Sequence, residues 1–215
     1  MEATNSELIL SIVQQIQKDI ADIKRHLSRK VPAQEILDPS SYVLYVYNEL
    51  IGGQDIVAQA SLHVLPTSKM SGERKTTTDA SYIYDYPLTA NIMAIGSALN
   101  LVILQRPDNL IVRAADIKLV SLLNGGAWSL TEREQTKFNL LRADLRQLQY
   151  VGREGIKVKV EHFDPETDPH WNDIQTLIYT AKKEYNQDIA LQKETVDAIC
   201  IRDNQDNGRP SGETV

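Results

Sequence analysis

The sequence predicts an α/β fold: a mixed five-stranded sheet flanked by helices, with a separate helix ahead of it. Three observations carry that prediction. A continuous apolar run at 42–47 is followed by two alternating stretches, at 56–65 and 81–86, which read as three strands in a meander. Helix-period stretches then alternate with two further short apolar runs, at 110–112 and 156–163, so the later strands are reached through helices. The third is a narrow aliphatic seam in residues 1–30, stopped by Pro32.

Composition sets the outer bounds. With 215 residues and 42% hydrophobic content, the chain has material for one core-bearing domain plus extensions. A formal charge of −6 and a pI of about 5.3 exclude a general attraction to polyanions, so any nucleic-acid contact needs a local basic patch. Cys200 is the single cysteine, which excludes an intrachain disulfide and a cysteine-rich metal site. That usage, with no signal-peptide order at the N-terminus, leads us to expect a cytoplasmic or nuclear protein. No apolar run is expected to reach the roughly 20 residues of a membrane span.

The first segment, residues 1–30, reads as an oligomerisation helix. Ile9, Val13, Ile16, Ile20, Ile23 and Leu27 are spaced alternately by four and three, the a/d pattern of a coiled coil. Isoleucine at both a and d favours trimers or tetramers over dimers. Thr4 and Glu7 have capping-box spacing, and Lys24, Arg25, Arg29 and Lys30 sit where cations suit a helix C-terminus. The alternative is a single amphipathic helix packed on its own domain. Residues 31–41, with two prolines, are a linker; 42–200 form the domain; 201–215, polar and containing Gly and Pro, are expected to be a disordered tail.

Within the domain, the strand at 56–65 should turn Ala58, Ala60, Leu62 and Val64 inward and Gln59, Ser61 and His63 outward. Residues 66–79 read as a polar loop. Tyr82, Tyr84 and Tyr86 share one strand face and either pack under a helix or stack bases. A helix over 89–105 carries Ile92, Ile95, Leu99 and Val102. The run at 110–112 leads to Asp116 and a short helix. Ser129 and Glu132 are spaced as a capping box before a helix bearing Phe138, Leu141, Leu145 and Leu148. The last helix, from about His170 to about Ile199, carries Ile174, Leu177, Ile178 and Ala181.

These landmarks resemble the ribonuclease H-like family over residues 42–181. The family's first strand ends in an Asp; the equivalent stretch here is Tyr47-Asn48-Glu49. Its first helix opens Thr-Asn-x-x-Glu with an Ala-Leu pair two turns on. Thr89, Asn91, Ala98 and Leu99 match that frame, with Asn91 where the Glu would stand. Its fourth strand runs into Asp-Ser-x-Tyr-Val, which is Asp116-Ile-Lys-Leu119-Val120 here, with the acid kept. Trp128 and the leucine-spaced helix match in order. His162 ends the fifth strand and Asn172 opens the last helix, but the position four on, an Asp in the family, is Thr176; Asp173 is out of register.

The resemblance implies two-metal phosphodiester chemistry; these residues argue against it. Two hard cations need several carboxylates, and Asn48 and Asn91 contribute no charge. The expectation is a non-catalytic protein with no cofactor or metal, acting as an oligomeric interaction or nucleic-acid-associated scaffold. A viral or retroelement-derived accessory or structural protein suits that description. The alternative is an active nuclease using Mg²⁺ at a shifted site of Glu49, Asp116 and Asp173. Asp116 also has the plainer reading of a helix N-cap. Lys69, Arg74, Lys75, Lys157 and Lys159 are the candidate contacts to RNA or an RNA–DNA hybrid. His63, His162 and His170 lack a nucleophile at useful spacing and read as satisfied or exposed side chains.

Overall fold

The computed structural model describes residues 37–206 except Gln54 and Lys69, and their side chains except those of Glu194 and 196–206. The aliphatic seam from Ile9 to Leu27 and the candidate Lys69 therefore lie outside the described residues. Five strands form one sheet: β1 (Ser41–Gly52), β2 (Ile56–Val64), β3 (Thr76–Tyr84), β4 (Asn109–Ala114) and β5 (Lys157–His162). Their order is β3-β2-β1-β4-β5. β1 pairs antiparallel with β2, and β2 with β3, while β4 runs parallel to both β1 and β5. The helices are α1 (Pro87–Gln105), α2 (Ile117–Leu123), α3 (Glu132–Gln147) and α4 (Trp171–Asp206), with a 3₁₀ turn at Leu148–Tyr150.

Alternation along β1 divides the interior in two, because successive side chains leave opposite faces of a strand. Tyr42, Leu44 and Val46 join Leu110, Val112 and the apolar stripes of α1, α2 and α3 in one cluster. Val43 and Tyr45 join Ala58, Ala60, Leu62 and α4 residues Ile174, Ile178 and Ala181 in the other. The central strands are covered on both faces, as their near-continuous apolar sequences require.

Several expectations need correction. Gln59, Ser61 and His63 do not face solvent: they are 4%, 4% and 8% exposed. α1 packs across that face of β2 as well as on β1, and strand alternation alone carries no information about a helix lid. Gln59 and His63 have hydrogen-bond partners inside. Gln59 Nε2 donates to the Tyr47 and Ala60 carbonyls at 3.0 and 3.1 Å, and Tyr42 Oη and His63 Nδ1 share a 2.6 Å hydrogen bond. Thr76–Asp79 are strand, not loop; β3 is an edge strand with one paired side, so its exposed threonines suit it. Tyr86 leaves the stripe to become the N-cap residue of α1. Tyr82 stays on the strand, edge-on to Tyr84 and to Tyr185 of α4.

The capping box of α3 is Thr131 with Glu134, not Ser129 with Glu132. α4 continues through residues 201–206, which were expected in the tail. α1 is also long and apolar enough to cross a membrane by composition, contrary to the expectation from the sequence. Half of that stretch is buried, and its apolar residues meet the sheet and α3, so it is the core helix of the domain.

Candidate functional site

The parallel register of β1 and β4 assembles the candidate site. Val46 lies opposite Ala114, and Asn48 and Asp116 each follow two residues later, at the same end of neighbouring strands. Asn48 Nδ2 donates to the carbonyl of Pro87, the first residue of α1, at 2.7 Å, and lies 3.4 Å from Gln59 Oε1. One turn further along α1, Asn91 is 3% exposed. Asn48 and Asp116 thus follow neighbouring strands at the same end, and Asn91 is one turn along α1 from the carbonyl that Asn48 binds.

Asp116 is committed locally. It is the N-cap of α2, its Oδ1 accepting the Leu119 N–H at 3.1 Å, which satisfies one of the helix's free donors. Oδ1 of Asn91 and Oγ1 of Thr89 are buried without a protein hydrogen-bond partner. Two ion pairs that sequence reasoning missed hold the surrounding helix starts. Asp85, 4% exposed, accepts from Arg133 Nη2 at 2.6 Å, joining the approach to α1 to the first turn of α3. Lys118 of α2 meets Glu134 of α3 at 3.3 Å. Only their long-range pairing identifies these residues, and no local spacing announces it.

A pair of divalent cations does not fit these residues. One carboxylate faces four positive charges, the two amides add none, and the acids of the surrounding ion pairs, Asp85 and Glu134, already pair with an arginine and a lysine. Glu49 and Asp173 lie elsewhere. Glu49 follows Asn48 on the strand and so projects to the α4 face, where it binds Lys182 and accepts from Tyr47 Oη at 3.3 Å. Burial first, then the Glu49 charge, push the Tyr47 phenol up to about 12. Asp173 is exposed on the first turn of α4, 3.6 Å from His170 Nδ1. Among the described residues, no three His, Cys, Asp or Glu side chains cluster as ligands to a cation would. Asn172 and Thr176 are also exposed on α4, one turn apart.

The basic candidates divide. Arg74 donates to the carbonyls of Asp38 (3.0 Å) and Ser41, pinning the start of β1. Lys159 is exposed but paired with Glu161. Lys75 and Lys157 are exposed. They sit on the two opposite sides of the sheet, beside and within its edge strands β3 and β5, and do not form one patch.

Sequence reasoning also missed Arg113, a cation 6% exposed inside the sheet. It lies between Tyr45 and Glu161 in the strand register and donates to both, at 2.7 and 3.0 Å. Its guanidinium carbon is 5.5 Å from the centre of the Tyr45 ring. Burial works to raise the Glu161 carboxyl, but hydrogen bonds from Lys159 and Arg113 outweigh it and hold the group below its usual value. The His170 ring lies 5.1 Å from that of Tyr45. Arg113 and Lys159 share the Glu161 carboxylate, and the Tyr45 ring of this network lies against His170, the residue before α4.

No protein-family model and no curated protein matches the sequence. Solved structures do match. The N-terminal RNase H domain of rv2228c from Mycobacterium tuberculosis, solved as a fusion with maltose-binding protein, has a TM-score of 0.53 at 9% identity, covering 69% of this chain and 98% of that one. LC11-RNase H1, isolated from compost, has a TM-score of 0.51 at 14% identity, covering 68% and 98%. Sheet order, helix placement and these likenesses agree, and the chain has the ribonuclease H-like fold.

Proposed function

We propose that this chain is a non-catalytic ribonuclease H-like protein, an oligomeric scaffold for interaction or nucleic-acid association. One observation carries the reading: of the three positions aligned with the family's acids, Asn48 and Asn91 are amides, and the one carboxylate, Asp116, caps a helix. Such a set does not neutralise two metal ions, and the reading accordingly includes no resident cofactor. The a/d seam at 9–27 supports self-association into trimers or tetramers, and the exposed Lys75 and Lys157 offer scattered phosphate contacts to RNA or a hybrid. A role as an accessory or structural protein of a virus or retroelement fits this combination, in the cytoplasm or nucleus.

The test is cleavage of a labelled RNA–DNA hybrid with Mg²⁺ or Mn²⁺ by the full chain, with Asp116→Asn alongside. We expect no metal-dependent product from either protein. Cleavage by the wild type that vanishes in the variant would overturn the reading and return attention to Glu49, Asp116 and Asp173 as a rearranged site.

A further inference from the structure

α1 and α3 leave a groove of about 610 Å³ between them, closed at one end by the 3₁₀ turn. Gly96, Leu99 and Ile103 line it from α1, and Asp144, Leu148 and Tyr150 from the other side. The apolar surface extends beyond the groove: Tyr150 is 78% exposed, and Leu104, next to Ile103, is 77%.

Gly96 is the informative residue. A glycine inside a helix costs about 0.5–1 kcal/mol relative to alanine. Nothing in the domain requires this one, because a Cβ added at Gly96 would meet no atom within 4 Å. The missing side chain leaves room beside α1 for something outside the described domain to approach the backbone closely.

We propose that the chain's own seam, residues 9–27, docks in this groove, and that docking competes with its pairing to other copies. The proposal rests on reading that seam as one amphipathic helix. Three facts select it as occupant. The described chain starts at the connection that leaves the C-terminal end of α1, a helix that lines the groove: Asn109 Nδ2 donates to Asp38 Oδ2 at 3.2 Å, and Asp108 N–H to the Ser40 carbonyl at 3.2 Å. Residues 28–36 reach about 30 Å when extended, and a helix over 9–27 is about 28 Å long, the length of α1 itself. Lys24, Arg25, Arg29 and Lys30 would lie nearest that end, where Asp144 lines the groove and Asp108 stands in the connection. The seam thus has two mutually exclusive coverings, its own groove at low concentration and other seams at high concentration.

The test compares the full chain with Gly96→Trp, which places a large side chain in the groove from a position where an added Cβ meets no atom within 4 Å. Hydrogen exchange is followed at a concentration where sedimentation shows monomer. We expect residues 9–27 to exchange about tenfold faster in Gly96→Trp than in the wild type, and the variant to assemble at lower concentration. Equal exchange in the two monomers would overturn the proposal. So would protection of 9–27 confined to the sedimenting oligomer, which would leave the seam itself intact. Ile16→Asp separates the two levels: it should abolish both protection and assembly, and if it changes neither, the seam reading fails as well.

Discussion

Asp116 and His63 show how little of a side chain's role its type reveals. Asp116 stands where the sequence resemblance implies a metal-binding acid, yet its carboxylate receives a backbone N–H of α2. The two roles separate by substitution. Asparagine caps about as well as aspartate, whereas alanine loses about 1 kcal/mol. We expect Asp116→Asn to keep the wild-type denaturation midpoint and Asp116→Ala to lose that amount in urea titration. Equal loss in both would show that charge, not capping, is what the fold needs there. His63 is buried against Tyr42, and burial holds its pKa below 6.5, with the Asp79 charge offsetting part of the effect. The unfolded chain therefore takes up this proton first as pH falls. The site has no penalty above about 6.5 and loses stability below it, down to the folded-state value. Melting at pH 7.5 and 5.5 should show a drop that His63→Gln reduces; an identical drop in the variant would assign the acid sensitivity elsewhere.

At the scale of elements, the first turn of α3 offers the cleanest check on how sequence becomes structure. Ser129-x-x-Glu132 and Thr131-x-x-Glu134 both satisfy the capping pattern, and only the second forms, its Thr131 Oγ1 accepting from the Glu134 N–H at 3.3 Å. Glu134 also meets Lys118 across the gap to α2, a tertiary contact that selects between two locally equivalent starts. Thr131→Ala should cost about 1 kcal/mol, and Ser129→Ala should stay within roughly 0.5; the reverse ranking in chemical denaturation would contradict the assigned cap. The same division explains what was legible beforehand. The five strands, the antiparallel trio and the helices between the later strands followed from periodicity, which depends on neighbours in sequence, and the frame that singled out Asn48, Asn91 and Asp116 came from the family resemblance. The lid over Gln59, Ser61 and His63, the strand at Thr76–Asp79, and the Arg113 and Asp85 ion pairs depend on neighbours in space, which one sequence does not display.

For the whole molecule, the question is whether anything divalent contributes to its stability. Binding to the folded state stabilises by mass action, so even a weak site is visible. With a Kd of about 1 mM, about 10 mM Mg²⁺ would add roughly 1.4 kcal/mol. For a chain of this size that is a rise of about 3–6 °C in melting temperature. Asp116, Asn48 and Asn91 offer one carboxylate, already accepting a hydrogen bond, and two amides, one of which is tied to the α1 backbone. Asp85 is neutralised by Arg133, and Glu49 is turned to the opposite face beside Lys182. We therefore expect the full chain to melt at the same temperature with and without Mg²⁺ at matched ionic strength. A rise of that size, present in the wild type and absent in Asp116→Asn, would mean that the two amides and the carboxylate do hold a cation. The scaffold reading would then give way to a nuclease, and a nuclease should also cleave the hybrid.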